Sequence, residues 1–136
     1  MNNKQRVTVE LNNGKFRLTN NQKVEDLNPK ALIICAAAEC AGYTIMSILR
    51  REEVTPKSIE ITVEGSLDTP TLQPESKYKS FSVHYRVECR SLADQDIVGS
   101  TVKEAQEYRC GVINMLRAIA PVSHEIDIVS TEAVGI

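Results

Sequence analysis

Alternating apolar and polar residues mark several stretches of this chain as β-strands with one buried face. Near the N-terminus the in-phase apolar residues are Val7, Val9 and Leu11 before the turn Asn12-Asn13-Gly14, and Phe16 and Leu18 after it. An Asn-Gly pair between two alternating runs favours a tight β-hairpin. The pattern therefore predicts a hairpin at the beginning of the chain.

Two longer alternating stretches predict further strands. In KSIEITVEGSL, residues 57–67, the in-phase residues include Ile59, Ile61 and Val63; in YKSFSVHYRVEC, residues 78–89, they are Phe81, Val83, Tyr85, Val87 and Cys89. Clean alternation indicates a core face and a solvent face on each strand. HEIDIVS, residues 124–130, predicts a last strand of the same kind.

A continuous apolar run predicts a long helix over residues 29–51. Asn28 suits the N-cap, and Pro29 suits the first helical position, where its missing N–H costs nothing. Every residue from 31 to 38 is apolar or cysteine. A helix that is apolar on all sides belongs in the middle of a protein, so we expect it to be central.

The order of the predicted elements indicates the α+β class. A second helical region spans about residues 93–120, is interrupted near residues 108–111 and stops at Pro121. Since no linker divides the chain, residues 1–136 are predicted to form a single domain in which an antiparallel sheet covers the apolar helix. One small sheet covers such a helix poorly, which favours a homodimer that buries it from both sides.

Composition and charge exclude several classes of function. Hydrophobic residues make up 42% of the 136, and sixteen basic against eighteen acidic residues give a net charge of −2. Without a basic run or many aromatic residues, a nucleic-acid surface is not expected. Lys30, Glu39 and the charged residues 50–53 oppose a membrane span in the apolar helix. The N-terminus lacks the apolar segment of a signal peptide, so a cytoplasmic location is expected.

Four cysteines in a cytoplasmic protein are more often free, catalytic or metal-binding than disulfide-bonded. Cys35 and Cys89 fall on core faces and are interpreted as small apolar side chains. Cys40 shares its helix face with small or polar-tipped residues. Cys110 lies beside Arg109 where a helix is expected to begin, an environment that stabilises a thiolate. From the residues alone, Cys40 and Cys110 are either a redox pair or structural cysteines.

No metal site is predicted from the sequence spacing. The possible ligands are Cys35, Cys40, Cys110, His84 and His124, and none of them forms a CxxC or HxxxH pattern. His84 falls on the solvent face of its strand, and His124 is expected to be solvated.

The residues that follow the hairpin resemble a known family. A helix that begins Asn-Pro and contains Ala-Leu-Ile-Ile-Cys-Ala-Ala-Ala-Glu-Cys, two strands, and then Cys-Gly-Val-Ile-Asn-Met-Leu resemble the OsmC/Ohr family of osmotically inducible and organic hydroperoxide resistance proteins. The matching positions are Pro29, Cys40, Cys110, Val112 and Asn114. The resemblance covers essentially the whole chain in element order. It implies the OsmC-like fold, in which sheets wrap the long central helices of an intertwined homodimer.

The resemblance also implies a peroxiredoxin-like activity against oxidative stress. By this similarity Cys40 attacks an organic hydroperoxide and becomes a sulfenic acid, Cys110 resolves it as a disulfide, and a dithiol reductant restores both thiols. No cofactor or metal is implied.

The chain departs from the family pattern around the first cysteine. Lys30 stands where peroxidase members carry a glutamate, and only Arg17 and Arg6 are candidates for the arginine that partners it. Glu39 is a neighbour of Cys40 but does not replace that glutamate, because a carboxylate opposes thiolate formation. Lys30, Arg17 and Glu39 are therefore candidate accessory residues.

Two other interpretations follow from these departures. The first is an OsmC-like dimer without efficient peroxidase turnover that binds a small molecule or senses redox state, since a fold does not fix a function. The second is an acyl-thioester enzyme of hot-dog type, for which Glu39 would have to be the catalytic carboxylate.

Overall fold

Five strands and three α-helices account for most of the described chain, residues 3–131 of a computed structural model. In chain order they are β1 (Lys4–Asn12), β2 (Lys15–Leu18), α1 (Pro29–Arg51), β3 (Ser58–Leu67), β4 (Tyr78–Cys89), α2 (Asp94–Glu104), α3 (Gly111–Ile119) and β5 (Val122–Ser130). A short 3-10 turn, Val24–Asp26, precedes α1, and a π-helical turn, Ala105–Arg109, joins α2 to the segment before α3. The α+β class is confirmed.

The strands form one mixed sheet in the order β2-β1-β3-β4-β5. The first four are antiparallel to their neighbours, whereas β5 runs parallel to β4, from the pair Phe81 and Val122 to the pair Cys89 and Ser130. The prediction of a purely antiparallel sheet is therefore wrong at β5. Helices α2 and α3 come between β4 and β5 along the chain. This crossover connection returns the chain to the end of the sheet at which β4 begins, so that β5 can run parallel to β4.

The core lies between one face of the sheet and the helices. The in-phase strand residues are buried as the alternation predicts: Val7, Val9, Phe16, Ile59, Ile61, Val63, Phe81, Val83, Tyr85, Val87 and Cys89. Leu11 and Leu18 are partly buried and pack against this core. The other face of the sheet carries polar and charged residues.

Helix α1 begins where the sequence predicts, because the Asn28 side chain accepts a hydrogen bond of 2.9 Å from the Ala31 amide. One side of α1 is buried, including Ile34, Cys35, Ala38, Ala41, Ile45 and Leu49. The expectation of burial on all sides does not hold within one chain, since Leu32, Ile33 and Tyr43 are exposed. The helix covers one face of the sheet rather than being wrapped by it.

By length and composition α1 could also cross a membrane, although half of its most apolar segment is buried inside the fold. Core helices of globular proteins have the same properties, so this is weak evidence for a span.

A close approach at Gly42 fixes α1 against the hairpin. A Cβ atom at Gly42 would lie 2.6 Å from the Phe16 ring. The Phe16 ring also packs edge-to-face on Tyr43 with centroids 5.1 Å apart, and the Phe16 amide donates a 3.1 Å hydrogen bond to the Tyr43 hydroxyl. These contacts hold the middle of α1, where Cys40 lies, in a defined position on the sheet.

Candidate active site

Cys40 and Cys110 meet between α1 and the beginning of α3. The Cys40 side chain is close enough to Cys110 to raise the pKa of its thiol, and both cysteines are free thiols. Cys40 is partly exposed, whereas Cys110 is fully buried. The structure therefore brings together the two cysteines that the sequence singled out, 70 residues apart in the chain.

The π-helical turn places the Cys110 side chain toward α1. The Cys110 amide donates a 2.9 Å hydrogen bond to the Ala105 carbonyl, five residues earlier, and the Cys110 backbone is extended before α3 begins at Gly111. The sequence predicted an interruption at this point, and the structure confirms it. Such π-turns often occur at functional sites, since they redirect side chains within a helix.

Burial raises the pKa of the Cys110 thiol to about 12, and the neighbouring Cys40 adds to this rise. The amides of Ile113 and Val112 at the N-terminus of α3 oppose it, although the Cys110 side chain makes no full capping hydrogen bond. The thiolate predicted at this helix terminus is therefore not favoured, because desolvation of the sulfur outweighs the helix amides.

A buried polar network lies beside the two cysteines. The Tyr85 hydroxyl donates a hydrogen bond to the Gln106 side-chain carbonyl, and the Arg117 guanidinium donates one to the Gln106 main-chain carbonyl. Burial raises the pKa of Tyr85, the charges of Cys110 and Cys40 add to the rise, and Arg117 opposes it. Gln106 Nε2 has no hydrogen-bond partner within residues 3–131, an uncommon state for a fully buried donor.

Cys40 opens onto a surface cavity of about 390 Å³. Its other lining residues are Tyr43, Thr44, Ser47, Ile48, Arg51 and Arg109. The Arg109 guanidinium donates a 2.8 Å hydrogen bond to the Glu104 carboxylate. The cavity thus combines a reachable thiol, apolar walls and two cations.

The candidate accessory residues do not line this cavity. Arg17 and Arg6 are exposed on the polar face of the sheet, since the neighbouring residues Phe16 and Val7 point to the core. Lys30 donates hydrogen bonds of 3.0 and 3.1 Å to the main-chain carbonyls of Gln73 and Pro74, so it binds a loop rather than solvent alone.

The charge of Glu39 raises the pKa of Cys35, and Glu39 does not line the Cys40 cavity. Burial raises the pKa of Cys35 to about 11, and the Glu39 charge adds to the rise. The acyl-thioester interpretation needed a carboxylate beside the reactive centre, and Glu39 is absent from the residues that line the Cys40 cavity.

Sequence reasoning missed Arg51 and Gln106 as residues near the reactive centre. Arg51 lies eleven residues after Cys40, which is close to three helical turns and therefore the same face of α1. Extending the face of Tyr43, Thr44 and Ser47 by one turn would have found it. Gln106 carries no comparable signal, because a glutamine in a helical stretch is ordinarily exposed.

Comparisons with known proteins agree with this fold. A family model described as OsmC-like protein matches residues 20–125, while no curated protein matches the chain. A hypothetical protein from Aquifex aeolicus VF5 is similar at 19% identity and a TM-score of 0.66, covering 97% of this chain and 100% of that one.

Two further solved structures have informative names. An OsmC-like protein from Mycoplasma pneumoniae is 12% identical with a TM-score of 0.61, covering 93% of this chain and 95% of that one. An organic hydroperoxide resistance protein OsmC from Legionella pneumophila is 18% identical with a TM-score of 0.53, covering 90% and 96% respectively. The mixed sheet and its helices are thus the fold seen in OsmC/Ohr structures.

Proposed function

Because this chain belongs to the OsmC-like protein family, we propose that it reduces organic hydroperoxides with a dithiol reductant, through Cys40 and Cys110. The observation that carries the proposal is the contact between a partly exposed thiol and a fully buried one. The chemical class of the substrate is suggested by the similar fold of an organic hydroperoxide resistance protein.

The reaction begins with Cys40, since its sulfur faces the cavity. The Cys40 thiolate attacks the terminal oxygen of R–O–OH, the O–O bond breaks, and the alkoxide takes up a proton and leaves as the alcohol. Cys40 is then a sulfenic acid. Arg51 at the cavity wall supplies positive charge where the alkoxide develops, whereas Arg109 is already paired with the Glu104 carboxylate.

Cys110 is suited to the second step because it contacts Cys40 and no substrate can reach it directly. Its sulfur attacks the Cys40 sulfur and displaces water, so that the S–O bond is replaced by a disulfide. A dithiol reductant then returns two electrons and two protons and becomes a disulfide itself. The sum is one hydroperoxide and one dithiol converted to one alcohol, one water and one disulfide.

The proposal includes a homodimer. The exposed large apolar side chains on the helices are Leu32, Ile33 and Tyr43 on α1, and Met115 and Ile119 on α3. Apolar residues grouped on helices in this way favour association. A cytoplasmic location remains a prediction from the sequence.

The test is to add a small organic hydroperoxide to the reduced protein, block the remaining thiols and map the disulfides by mass spectrometry. We expect a stoichiometric Cys40–Cys110 disulfide, with Cys35 and Cys89 still free.

Cys40→Ser should abolish hydroperoxide consumption, whereas Cys110→Ser should still consume one equivalent and accumulate the sulfenic acid. Cys35→Ser is the matched control, since it removes a thiol from the same helix. Four free thiols after excess hydroperoxide would contradict the proposal.

The placement of Lys30 and Arg17 away from Cys40 favours a second candidate, an OsmC-like dimer that senses redox state or binds a small molecule without efficient turnover. Adding a dithiol to the oxidised protein distinguishes the two candidates. A disulfide that forms once but is not recycled by any dithiol tested would indicate the sensor, whereas sustained consumption of reductant indicates the peroxidase.

A further inference from the structure

A histidine and two carboxylates converge on the polar face of the sheet, away from the cysteines. His84 Nε2 lies 2.7 Å from Asp127 Oδ2 and 3.5 Å from Glu125 Oε2. All three ligand atoms lie within 4.8 Å of one another. Nothing in the proposed peroxidase cycle uses these residues.

The parallel pairing of β4 and β5 creates this cluster. His84 stands opposite Glu125 in the register, and Asp127 follows two residues later on the same face of β5. His84 therefore reaches two carboxylates that are next to each other along the strand. Sequence spacing could not show this arrangement, because the ligands come from two strands that are far apart in the chain.

Among the described residues, no lysine or arginine forms an ion pair with the two carboxylates of the cluster, and His84 is their shared partner. Arg86 stands opposite Asp127 in the register but is not within ion-pair distance of it. The nearby Arg6 and Lys4 both pair with Glu64, at 3.9 and 3.5 Å.

From this geometry we propose that His84, Glu125 and Asp127 form a binding site for a divalent transition-metal ion of the zinc type. An imidazole nitrogen and two carboxylate oxygens are donors that zinc accepts. Ligand bonds of about 2.0–2.2 Å in tetrahedral geometry put donor atoms about 3.4 Å apart, so small side-chain adjustments bring these three donors to bonding positions. The remaining coordination position faces solvent.

The adjoining surface leaves room for such an ion. A depression of about 360 Å³ next to His84 and Glu125 is lined in part by the hydroxyl side chains of Thr62, Ser82 and Ser123. Bound metal would join β5, which is an edge strand, to β4 by side chains in addition to the main-chain ladder. It would therefore stabilise the folded chain by mass action.

The experiment is a calorimetric titration of the reduced protein with zinc chloride, repeated on four variants. We expect one saturable site per chain that is weakened at least tenfold by His84→Gln and by Asp127→Asn. His124→Gln is the matched control: His124 also borders the depression, but it stands opposite the buried Val83, one residue before Glu125, so its side chain points to the other face of β5 and its loss should leave the affinity unchanged. Cys40→Ser should leave it unchanged as well. Zinc should raise the thermal unfolding midpoint of the parent protein and not that of His84→Gln.

Three outcomes would overturn the proposal: no saturable binding, equal binding by His84→Gln, or binding that is lost in Cys40→Ser, which would assign the zinc to the thiol pair. A measurement on the unmodified protein guards against variants that fail to fold. Stoichiometric zinc should shift the imidazole nitrogen signals of His84 in nuclear magnetic resonance spectra while those of His124 stay in place. If neither histidine signal moves, the site is absent.

Discussion

The proposed cycle asks Cys110 to react although its side chain is buried beside Cys40. Its pKa of about 12 means that the buried sulfur is a thiol at neutral pH. A thiol in contact with a newly formed sulfenic acid needs no access to solvent, because the reaction is intramolecular. Burial thus prevents Cys110 from reacting with external oxidants while leaving its reaction with Cys40 open.

The raised pKa of Cys110 predicts a loss of stability at alkaline pH. Its folded pKa of about 12 is above the pKa of 9.0 of an unperturbed cysteine, so the thiol stabilises the fold fully below about pH 9, and this contribution is lost as pH rises toward 12. At about pH 10 the loss is about 1 kcal/mol. Urea unfolding of the reduced protein at about pH 8 and pH 10 measures it, and Cys110→Ala should show a smaller decrease. Equal decreases in the two proteins would contradict this prediction.

Tyr85 is predicted to hold Gln106 and the π-helical turn in place. Tyr85→Phe removes the hydroxyl that donates to the Gln106 side chain. The Gln106 side-chain carbonyl oxygen would then be unpaired, as Gln106 Nε2 already is. We expect a loss of about 1–3 kcal/mol in the free energy of unfolding. Tyr108→Phe is the matched control because Tyr108 is 71% exposed, and it should change stability by less than about 0.5 kcal/mol. A similar effect of both substitutions would refute the role of the network.

At the scale of elements, the sequence predicts the strands, their buried faces and the helix termini well, but it does not predict strand direction. Alternation has the same period in parallel and antiparallel strands, and the segment between β4 and β5 is long enough for either. The two cysteines are found through the resemblance to OsmC/Ohr proteins. The cluster of His84 with Glu125 and Asp127 is not found, because it exists only through the parallel register.

Two glycines are predicted to respond oppositely when alanine replaces them: Gly42, at the contact between α1 and the hairpin, should lose stability, and Gly99 in α2 should gain it. Gly42→Ala puts a Cβ atom 2.6 Å from the Phe16 ring, so α1 and β2 must separate, at a cost of about 1–3 kcal/mol. Gly99 lies in α2 with nothing within 4 Å of an added Cβ, so Gly99→Ala should stabilise the protein by up to about 1 kcal/mol through helix propensity. Chemical denaturation of both variants compares them directly. A neutral Gly42→Ala would show that Phe16 can move aside.

At the scale of the whole molecule, the large exposed apolar residues of α1 and α3 are the feature on which the proposed homodimer rests. The polar face of the sheet is suited to solvent, but Ile33 is 45% and Ile119 is 60% exposed on the helical side. Cys40 and its cavity lie on that same side, near Arg51 and Arg109. Association through the helices would therefore also enclose the Cys40 thiol, so the proposed dimer and the proposed peroxidase activity would depend on the same surface.

If both proposals hold, weakening the dimer should also weaken the peroxidase activity. Ile33→Glu places a charge on the exposed side of α1, and we expect it to shift the mass measured by light scattering from dimer toward monomer, because burying an unpaired carboxylate is costly. Val24→Glu is the matched control, since Val24 is 54% exposed but lies in the short 3-10 turn outside α1 and α3. Hydroperoxide consumption should fall in Ile33→Glu and not in Val24→Glu. A parent protein that is monomeric at all concentrations yet fully active would separate the two properties, because the Cys40 cavity would then function without a second chain.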